Sequence, residues 1–415
     1  MSVPHGDRPR RTAVVVIPTY NEADSIGAMV DCLCGEVLPS LEGWSAFLLV
    51  VDGRSPDGTA GVVESRMPKY PNLKLVVEEG KRGIGAAYFT GFEYAVEELG
   101  ADAVIEFDGD FQHPPRSIPE LLAKIDEGAD CVLGSRKVPG GSYPRGWGFK
   151  RLLFSKFGGF VARVLLFFPG AAFRSVTDPT TGLKATRVEG CLDRLDFSSF
   201  LSRGFGYKLE MLYKIIENGG KIAEIPLAFG LREQGASKIT SQTPKEIFGT
   251  ILVLRTRSPS FRRFLKFAVV GFCGFLVNSI CLEAFSGAGF VASIAEFFSR
   301  AAARLAILGR RSTWAAAIAT EVSIISNFAL NSIWTFKAEG GGKAVSVAGR
   351  FLLFNLSSLG AIVLQSAAVG VAVMIFSETT MVRQIALVLS IGFLVVPYNW
   401  IMYNKIVWKV RLSNK

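Results

Sequence analysis

The stretch Phe-Asp-Gly-Asp-Phe-Gln-His-Pro-Pro at residues 107–115 decides how this chain folds and where its chemistry lies. It follows an apolar, strand-like run at residues 103–105, so Asp108 and Asp110 stand where a strand gives way to a loop. Two carboxylates so placed can share one divalent cation, and hard oxygen ligands suit Mg²⁺ or Mn²⁺. Such a cation completes its shell with water and substrate phosphates. The stretch therefore predicts a metal site at a strand's carboxyl end.

Around this stretch, short apolar runs alternate with helical patterns through the first 135 residues. The predicted strands are 13–17, 46–51, 73–77, 103–107 and 131–134, and the predicted helices are about 23–34, 59–67, 85–99 and 118–127. This alternation predicts an α/β fold with a mostly parallel, doubly wound, Rossmann-like sheet. Ligands of such sheets bind at the carboxyl ends of the strands. Polar clusters fall at those ends, at 18–22, 52–57, 81–85 and 108–112. Together they predict one nucleotide-sugar site.

Each cluster also has a purely structural interpretation. Residues 52–59 are rich in turn-forming types and could form only a turn and a helix cap. Residues 81–85 could be a solvated loop, and Arg136 could be an ordinary surface arginine.

The second half of the chain differs in composition. From Arg263 onward there are 14 Lys and Arg against 5 Asp and Glu, which accounts for most of the net charge of +10. The basic balance therefore belongs to this tail and does not indicate a nucleic-acid partner. Long apolar segments lie at 267–282, 313–336, 351–377 and 384–403. Because a bilayer core needs about 20 such residues per helix, four transmembrane helices are predicted.

The N-terminus and the six cysteines do not indicate a function. Residues 1–11 are polar and basic, and they predict a disordered N-terminus without the apolar core of a signal peptide. The six cysteines are scattered and predict reduced thiols, and Cys32 and Cys34 have too few histidines in the chain to suggest zinc.

The ordered series of motifs resembles the family-2 glycosyltransferases of the GT-A fold, and within them the polyprenyl (dolichyl) phosphate mannose synthases. The series comprises Pro-Thr-Tyr-Asn-Glu at 18–22, Val-Val-Asp with Ser-Pro-Asp-Gly-Thr at 50–59, the stretch at 108–115, Gly-Ser-Arg at 134–136, Asp-Pro-Thr-Thr-Gly at 178–182 and Phe-Gly-Leu-Arg-Glu-Gln-Gly-Ala-Ser-Lys at 229–238. The tail resembles the GtrA-like membrane domain, through residues 264–271, Asn278 and residues 326–336.

The resemblance implies a domain plan and a set of site residues. The plan is a GT-A catalytic domain at 12–240, an interfacial or linker helix at 241–262 and a membrane domain of about four helices at 263–415. The implied nucleotide-sugar residues are Pro18, Tyr20, Glu22, Val51, Asp52, Asp108, Gly109, Asp110, Gln112, Lys208, Arg232 and Lys238. The implied Mg²⁺ or Mn²⁺ ligands are Asp108, Asp110 and Gln112, the acceptor-phosphate residues are Arg136, Arg151 and Ser155, and the catalytic residues are Asp110, Arg136 and Arg151.

The chain departs from the family pattern at two positions. Gly53 stands where a second acidic residue is common, and Gln234 stands where a basic residue is common. The first departure leaves GDP and UDP both open as the nucleotide.

By the same resemblance, the expected reaction is metal-dependent, inverting transfer of mannose from GDP-mannose to a polyprenyl (dolichyl) monophosphate. A phosphate acceptor is already ionised, so it needs no general base. Two alternatives stay open: transfer of glucose from UDP-glucose to the same lipid, and a lipid-carrier translocase with a regulatory nucleotide-sugar-binding domain. Lipid length and oligomeric state are not indicated.

The expected location is a multi-pass protein of the cell membrane with its catalytic domain on the cytoplasmic face. Residues 149–168 are apolar but carry several cations, a pattern typical of a helix lying on the membrane surface. With this orientation the basic loop from Arg300 to Arg311 would face outward, against the positive-inside tendency.

Overall fold

The structure, a computed structural model, describes residues 11–144, 146–168, 172–231, 243–301, 311–337, 346–376 and 380–408. The chain divides into two compact units, of which the first ends at Thr256 and the second runs from Arg257 to Leu412. Of the predicted disordered N-terminus, residues 1–10 lie outside the described residues, and Arg11 is already part of the first strand.

The first unit is built on a seven-stranded sheet with the order β3-β2-β1-β4-β6-β5-β7. The strands are β1 Arg11–Thr19, β2 Trp44–Asp52, β3 Leu73–Val77, β4 Ala103–Glu106, β5 Cys131–Ser135, β6 Lys184–Arg187 and β7 Ile222–Pro226. β6 runs antiparallel to both β4 and β5, and the other pairings are parallel. The mostly parallel sheet predicted from the sequence is therefore confirmed.

Helices cover both faces of this sheet. They are α1 Ala23–Cys32, α2 Thr59–Glu64, α3 Ile84–Glu97, α4 Ser117–Asp126, α5 Phe149–Phe167, α6 Ala172–Ser175, α7 Tyr207–Glu217 and α8 Thr243–Arg257. β1 shows why its apolar run is continuous. Val14 and Val16 belong to the core under α3 and α7, whereas Val15 and Ile17 belong to the core under α1 and α4. Successive side chains of a strand point to opposite faces, so a strand buried on both faces needs apolar residues throughout.

The second unit is helical in the part that the structure describes. Its helices are α9 Pro259–Ser286, α10 Gly289–Ala301, α11 Arg311–Leu330, α12 Val347–Phe376, α13 Thr380–Ser390 and α14 Val396–Met402, with π-helical turns at Asn331–Thr335, Ile391–Val395 and Tyr403–Val407. An aromatic cluster forms its core. The rings of Phe336 and Trp408 stack with centroids 4.4 Å apart, and those of Phe354 and Tyr403 stack at 4.5 Å.

Each of the four predicted apolar segments falls on helical structure within the described residues, and residue 377 of the third lies outside them. By length and composition, Phe261–Phe285 is the one helix among the described residues that is long and apolar enough to cross a membrane, and Val347–Ala361 is a shorter apolar helix. The count of four spans therefore stays a prediction.

Candidate active site

The predicted metal ligands lie in the turn that follows β4. Phe111 has a φ of +60°, in the left-handed region, and its neighbours Asp110 and Gln112 are buried while Asp108 is partly exposed. Asp110 Oδ1 accepts a hydrogen bond from the Gln112 backbone N–H at 3.1 Å, and Gln112 Nε2 donates to the Gly230 carbonyl at 3.3 Å. Because the amide nitrogen of Gln112 donates to Gly230, its amide oxygen is the atom that would bind a hard cation.

The donor types fit Mg²⁺ or Mn²⁺. Among the described residues no group of three or more His, Cys, Asp or Glu side chains could hold a metal. A cation at this turn would therefore take two carboxylates and the Gln112 amide from the protein, and its remaining ligands from water or a diphosphate.

Asp108 lies between two nitrogen-bearing side chains. Lys208 Nζ is 3.9 Å from Asp108 Oδ1, and His113 Nε2 is 3.6 Å from Asp108 Oδ2. Burial lowers the pKa of His113 to about 4, although the Asp108 charge acts in the opposite direction. His113 is therefore neutral at pH 7, and its Nδ1 accepts the Asp108 backbone N–H at 3.3 Å. Of these two neighbours, only Lys208 brings positive charge to Asp108.

Gly182, from the Asp-Pro-Thr-Thr-Gly motif, closes this side of the site. A Cβ at this position would lie 2.8 Å from Lys208 Nζ and 2.9 Å from His113 Cε1. Only glycine allows the loop to approach both side chains so closely.

The cluster at 52–59 holds loops together, as its structural interpretation predicted. The buried Asp52 carboxylate accepts from Thr19 Oγ1 at 2.9 Å, from the Ser55 N–H at 2.8 Å and from Ser55 Oγ at 2.6 Å. Asp57 accepts the backbone N–H groups of Ala23 and Thr59, each at 3.0 Å, at the starts of α1 and α2. The Asp52 oxygens therefore bind protein donors, and a nucleotide contact for Asp52 stays a prediction.

Beside this cluster, Lys81 Nζ lies 4.2 Å from the centre of the Tyr20 ring. A Cβ on Gly53 would lie 3.4 Å from Tyr20 Cδ2, which is ordinary van der Waals contact. Gly53, Tyr20 and Lys81 thus form one small surface next to Pro18 and Glu22, which are both partly buried, and to the buried Val51.

The segment at 81–85 is not a freely solvated loop. Gly83 has a φ of +107°, and the Arg203 carbonyl accepts the backbone N–H groups of Gly85 at 2.8 Å and Ala86 at 3.2 Å. The first turn of α3 is therefore capped by the protein, so these two amides are not left for a phosphate.

Arg136 is not a surface arginine, since it is only 9% exposed. Its Nε donates to Asp178 Oδ2 at 2.6 Å and its Nη2 donates to Asp178 Oδ1 at 2.7 Å, a bidentate ion pair. Burial raises the pKa of Asp178, but hydrogen bonds and charge from Arg136 outweigh burial and hold it below its usual range. The edge of the guanidinium predicted to grip a phosphate is thus engaged by Asp178. A direct contact of Arg136 with an acceptor stays a prediction and would use the Nη1 side.

An aromatic patch of Tyr143, Trp147 and Phe229 links the predicted acceptor residues. The Arg136 guanidinium lies 5.1 Å from the Tyr143 ring and 5.6 Å from the Phe229 ring. The exposed Arg151 lies 4.2 Å from the Trp147 ring. The structure therefore brings Arg136 and Arg151 to the same patch, with Ser155 one helical turn further along α5.

Several charged residues at the site were missed from the sequence. Lys156 Nζ lies 5.5 Å from the Tyr143 ring and adds a cation to the aromatic patch. Glu106 and Lys184 form a buried ion pair at 3.5 Å. This pair lies below the turn at residues 108–112, which we call the metal turn because it carries the predicted metal ligands. Neither Glu106 nor Lys184 carries a local signal, because a charged residue in a strand normally marks an exposed position. Arg232 and Lys238, predicted to close over the donor, lie outside the described residues.

Comparison with known proteins identifies the family of the chain. Residues 14–176 match the family described as glycosyl transferase family 2, and residues 266–408 match the GtrA/DPMS transmembrane domain. The dolichol-phosphate mannosyltransferase of Pyrococcus furiosus is 30% identical over 378 residues, which are 91% of this chain and 95% of that protein. The polyprenol monophosphomannose synthase of Mycolicibacterium smegmatis is 34% identical over 58% of this chain and 85% of its own length. The undecaprenyl-phosphate mannosyltransferase of Micrococcus luteus is 34% identical over 55% of this chain and 87% of its own length.

The fold and these matches define the class of the protein, which is a glycosyltransferase with a GT-A catalytic domain. The chain belongs to glycosyl transferase family 2 and carries a GtrA/DPMS transmembrane domain, so it is a membrane protein.

Proposed function

We propose that the protein transfers mannose from GDP-mannose to a polyprenyl (dolichyl) monophosphate, giving polyprenyl-phosphate β-mannose. One observation carries this proposal. The relative that matches 91% of the chain, membrane domain included, is named a dolichol-phosphate mannosyltransferase, and two further relatives are named for mannose transfer to polyprenol phosphates.

On the donor side, Asp108, Asp110 and Gln112 would hold Mg²⁺ or Mn²⁺ together with the donor diphosphate. A cation there would neutralise charge on the diphosphate as it leaves. Lys208, 3.9 Å from Asp108, supports the same role because it adds a fixed positive charge beside the diphosphate position. Tyr20 and Lys81, at the carboxyl end of β1 and the start of the α3 loop, would flank the nucleoside.

On the acceptor side, a lipid monophosphate has a second pKa of about 6 and is a dianion at neutral pH. Its oxygen attacks the anomeric carbon directly while the bond from that carbon to the diphosphate breaks, so the configuration inverts and no proton has to be removed. Arg136, Arg151 and Lys156, gathered on the aromatic patch, would offset the repulsion between the two anions. Ser155 would donate to the same phosphate.

A stripe along α5 suits a lipid-linked acceptor. Phe149, Leu153, Phe157 and Phe160 follow helical spacing and are 78%, 52%, 62% and 53% exposed. An exposed apolar stripe flanked by cations is typical of a helix at the membrane surface. We infer that α5 rests on the cytoplasmic face of the cell membrane and that the second unit spans it several times, with about four helices.

A second candidate is a glucosyltransferase that uses UDP-glucose. It stays open because Gly53, which lies beside Tyr20 on the surface expected to meet the nucleoside, stands where a second acidic residue is common in the family, and this departure leaves GDP and UDP both open. A lipid-carrier translocase with a regulatory first unit is the candidate from a different class.

One experiment separates the three. The purified full chain is incubated with polyprenyl phosphate, Mg²⁺ or Mn²⁺, and either GDP-mannose or UDP-glucose, and the glycolipid is identified by mass spectrometry and its anomeric configuration by NMR. We expect a β-mannosyl phosphate lipid that is absent when EDTA is added. A glucosyl lipid formed only from UDP-glucose would support the second candidate. Donor binding with no glycolipid from either sugar would contradict both transferases.

A further inference from the structure

A buried polar network lies directly behind the metal turn. Glu106 is the last residue of β4 and Lys184 the first residue of β6, and the two stand opposite each other in the antiparallel pairing of these strands. Tyr207, the first residue of α7, donates from its hydroxyl to Glu106 Oε2 at 2.7 Å. Lys184 Nζ lies 3.5 Å from the same oxygen. All three side chains are buried.

Stability does not explain why a charged pair occupies this place. Removing two charges from water is unfavourable, and buried ion pairs are on balance no more stabilising than apolar residues of similar volume. A Leu or Val on each strand would fill the same layer, as Val16, Leu49 and Leu133 do on this face of the sheet. The pair is better explained by what its hydrogen bonds hold in place.

Those hydrogen bonds converge on the start of α7. Lys184 Nζ donates to the Lys208 backbone carbonyl at 3.1 Å, and Glu106 accepts from the neighbouring residue, Tyr207. The side chain of Lys208 then reaches Asp108, with Nζ 3.9 Å from Oδ1. The network thus connects Glu106, the last residue of β4, to the Lys208 ammonium group that faces Asp108.

We propose that Glu106 and Lys184 are positioning residues for donor binding, which act by holding the first turn of α7 so that Lys208 faces Asp108. The inference rests on the proposed role of the Asp108 turn in binding a nucleoside diphosphate with a divalent cation. It does not depend on which sugar is transferred.

The test is a mutant cycle on the full chain in detergent, with GDP and UDP each titrated by calorimetry in the presence of Mn²⁺. One arm is Lys208→Met. The other is the pair Glu106→Gln with Lys184→Met, which removes both charges together and leaves an acceptor for Tyr207. We expect each arm to weaken binding of the preferred nucleotide about tenfold. The combined triple variant should bind no more weakly than Lys208→Met alone, because the pair acts through Lys208.

A matched control lies on the same strand. Arg187, at the opposite end of β6, pairs with Asp130 away from the metal turn, so Arg187→Met removes a β6 cation without touching the network. It should leave nucleotide binding unchanged. Thermal unfolding of every variant monitors folding. Tyr207→Phe is a smaller change, because it removes only the hydroxyl that donates to Glu106, and it should also weaken nucleotide binding.

Three results would overturn the inference: a triple variant that loses affinity additively, pair and Tyr207→Phe variants that are folded and bind like the wild type, or a wild type that binds neither nucleotide with Mn²⁺. The two proposals fail separately. A glucosyl product in the transfer assay would contradict mannose transfer and leave this binding cycle intact.

Discussion

At the scale of single residues, the carboxylates of the site divide into two groups. Asp52 and Asp178 are buried and accept hydrogen bonds from protein donors that fix loops. Asp108 and Asp110 stand in the turn after β4, where a cation and a diphosphate would be held. Substitutions of Asp52 or Asp178 should therefore lower the stability of the fold, whereas substitutions of Asp108 or Asp110 should lower the rate of transfer.

Asp110→Ala should abolish transfer while the chain still folds. Loss of one metal carboxylate removes several kcal/mol of transition-state stabilisation, which corresponds to a fall of about 10³-fold in kcat. Turnover with metal and thermal unfolding are the measurements. Asp126→Ala is the control, because Asp126 pairs with Arg11 and accepts from Trp44 at the amino end of β1 and β2. Near wild-type turnover of Asp110→Ala would show that the metal assignment is wrong.

Arg136→Lys should be a severe change although it keeps the charge. An ammonium cannot make both contacts to Asp178, so the free energy of unfolding should fall by about 1–3 kcal/mol. The KM for polyprenyl phosphate should rise, and the KM for the nucleotide sugar should change less. Asp178→Asn also weakens the bidentate contact but leaves the guanidinium in place, so it should retain more acceptor affinity. An equal loss for the donor would move Arg136 to the donor side.

The Arg136–Asp178 pair also predicts an acid-sensitive stability. The pKa of Asp178 lies below its usual range in the folded chain, because Arg136 outweighs the opposing influence of burial. Its contribution is therefore complete above the unfolded pKa of about 4 and is lost as the pH falls through the lower, folded pKa. Melting temperatures measured from pH 7 to pH 3 should fall more steeply for the wild type than for Asp178→Asn. Parallel curves would assign the acid sensitivity to other carboxylates.

At the scale of elements, α5 packs some of its apolar side chains into the core of the first unit and leaves others exposed. Ala162 and Leu166 are buried in the core of the first unit, yet the stripe from Phe149 to Phe160 is exposed. An exposed stripe of this size needs a partner, and a membrane surface satisfies both the rings and the neighbouring cations Arg151 and Lys156.

The double variant Leu153→Glu and Phe157→Glu should impair use of membrane-embedded acceptor. In vesicles, the KM for long-chain polyprenyl phosphate should rise about tenfold, because carboxylates repel anionic lipid and lose the apolar contact. A short-chain, water-soluble acceptor should be used as well as by the wild type. Met67→Glu is the control, because Met67 is also an exposed, large apolar residue but lies outside α5. Equal loss with both acceptors would contradict the interfacial role.

At the scale of the whole molecule, the division into two units falls at the end of α8, between Thr256 and Arg257. Ile251 and Leu254 of α8 are buried in the core of the first unit, and Glu246 accepts from Ser202 and from the backbone N–H of Gly206. The first unit therefore includes α8, and all the predicted site residues precede it.

A chain ending at Arg257 should fold and transfer sugar to short-chain or detergent-dispersed acceptor, with a higher requirement for lipid than the full chain. A chain ending at residue 242 is the contrasting variant. It loses the burial of Ile251 and Leu254, about 1.5–3 kcal/mol each, and should be unstable. Transfer assays and thermal unfolding compare the two. A folded chain ending at Arg257 that binds donor but transfers to no acceptor would show that the second unit helps to build the active site.

Much of this architecture is determined by the sequence. The first five strands were predicted to within two residues at either end, because a strand buried on both faces carries its apolar run locally, as β1 does from Ala13 to Ile17. The position of Asp108, Asp110 and Gln112 in one turn after β4 was predicted as well, because the three lie within five residues of the sequence, and their binding of a metal stays a prediction.

Other features were decided only by the tertiary structure. β6 begins with Lys184, and this charge can enter the sheet only because Glu106, 78 residues earlier, lies opposite it. Arg136 looked available for a phosphate until the fold placed Asp178, 42 residues away, against its bidentate edge. The physical reason is the same in both cases. Apolar periodicity and metal-ligand spacing are local properties of a chain, whereas the partner of a buried charge is chosen by which strands become neighbours, and that is set by packing of the whole sheet.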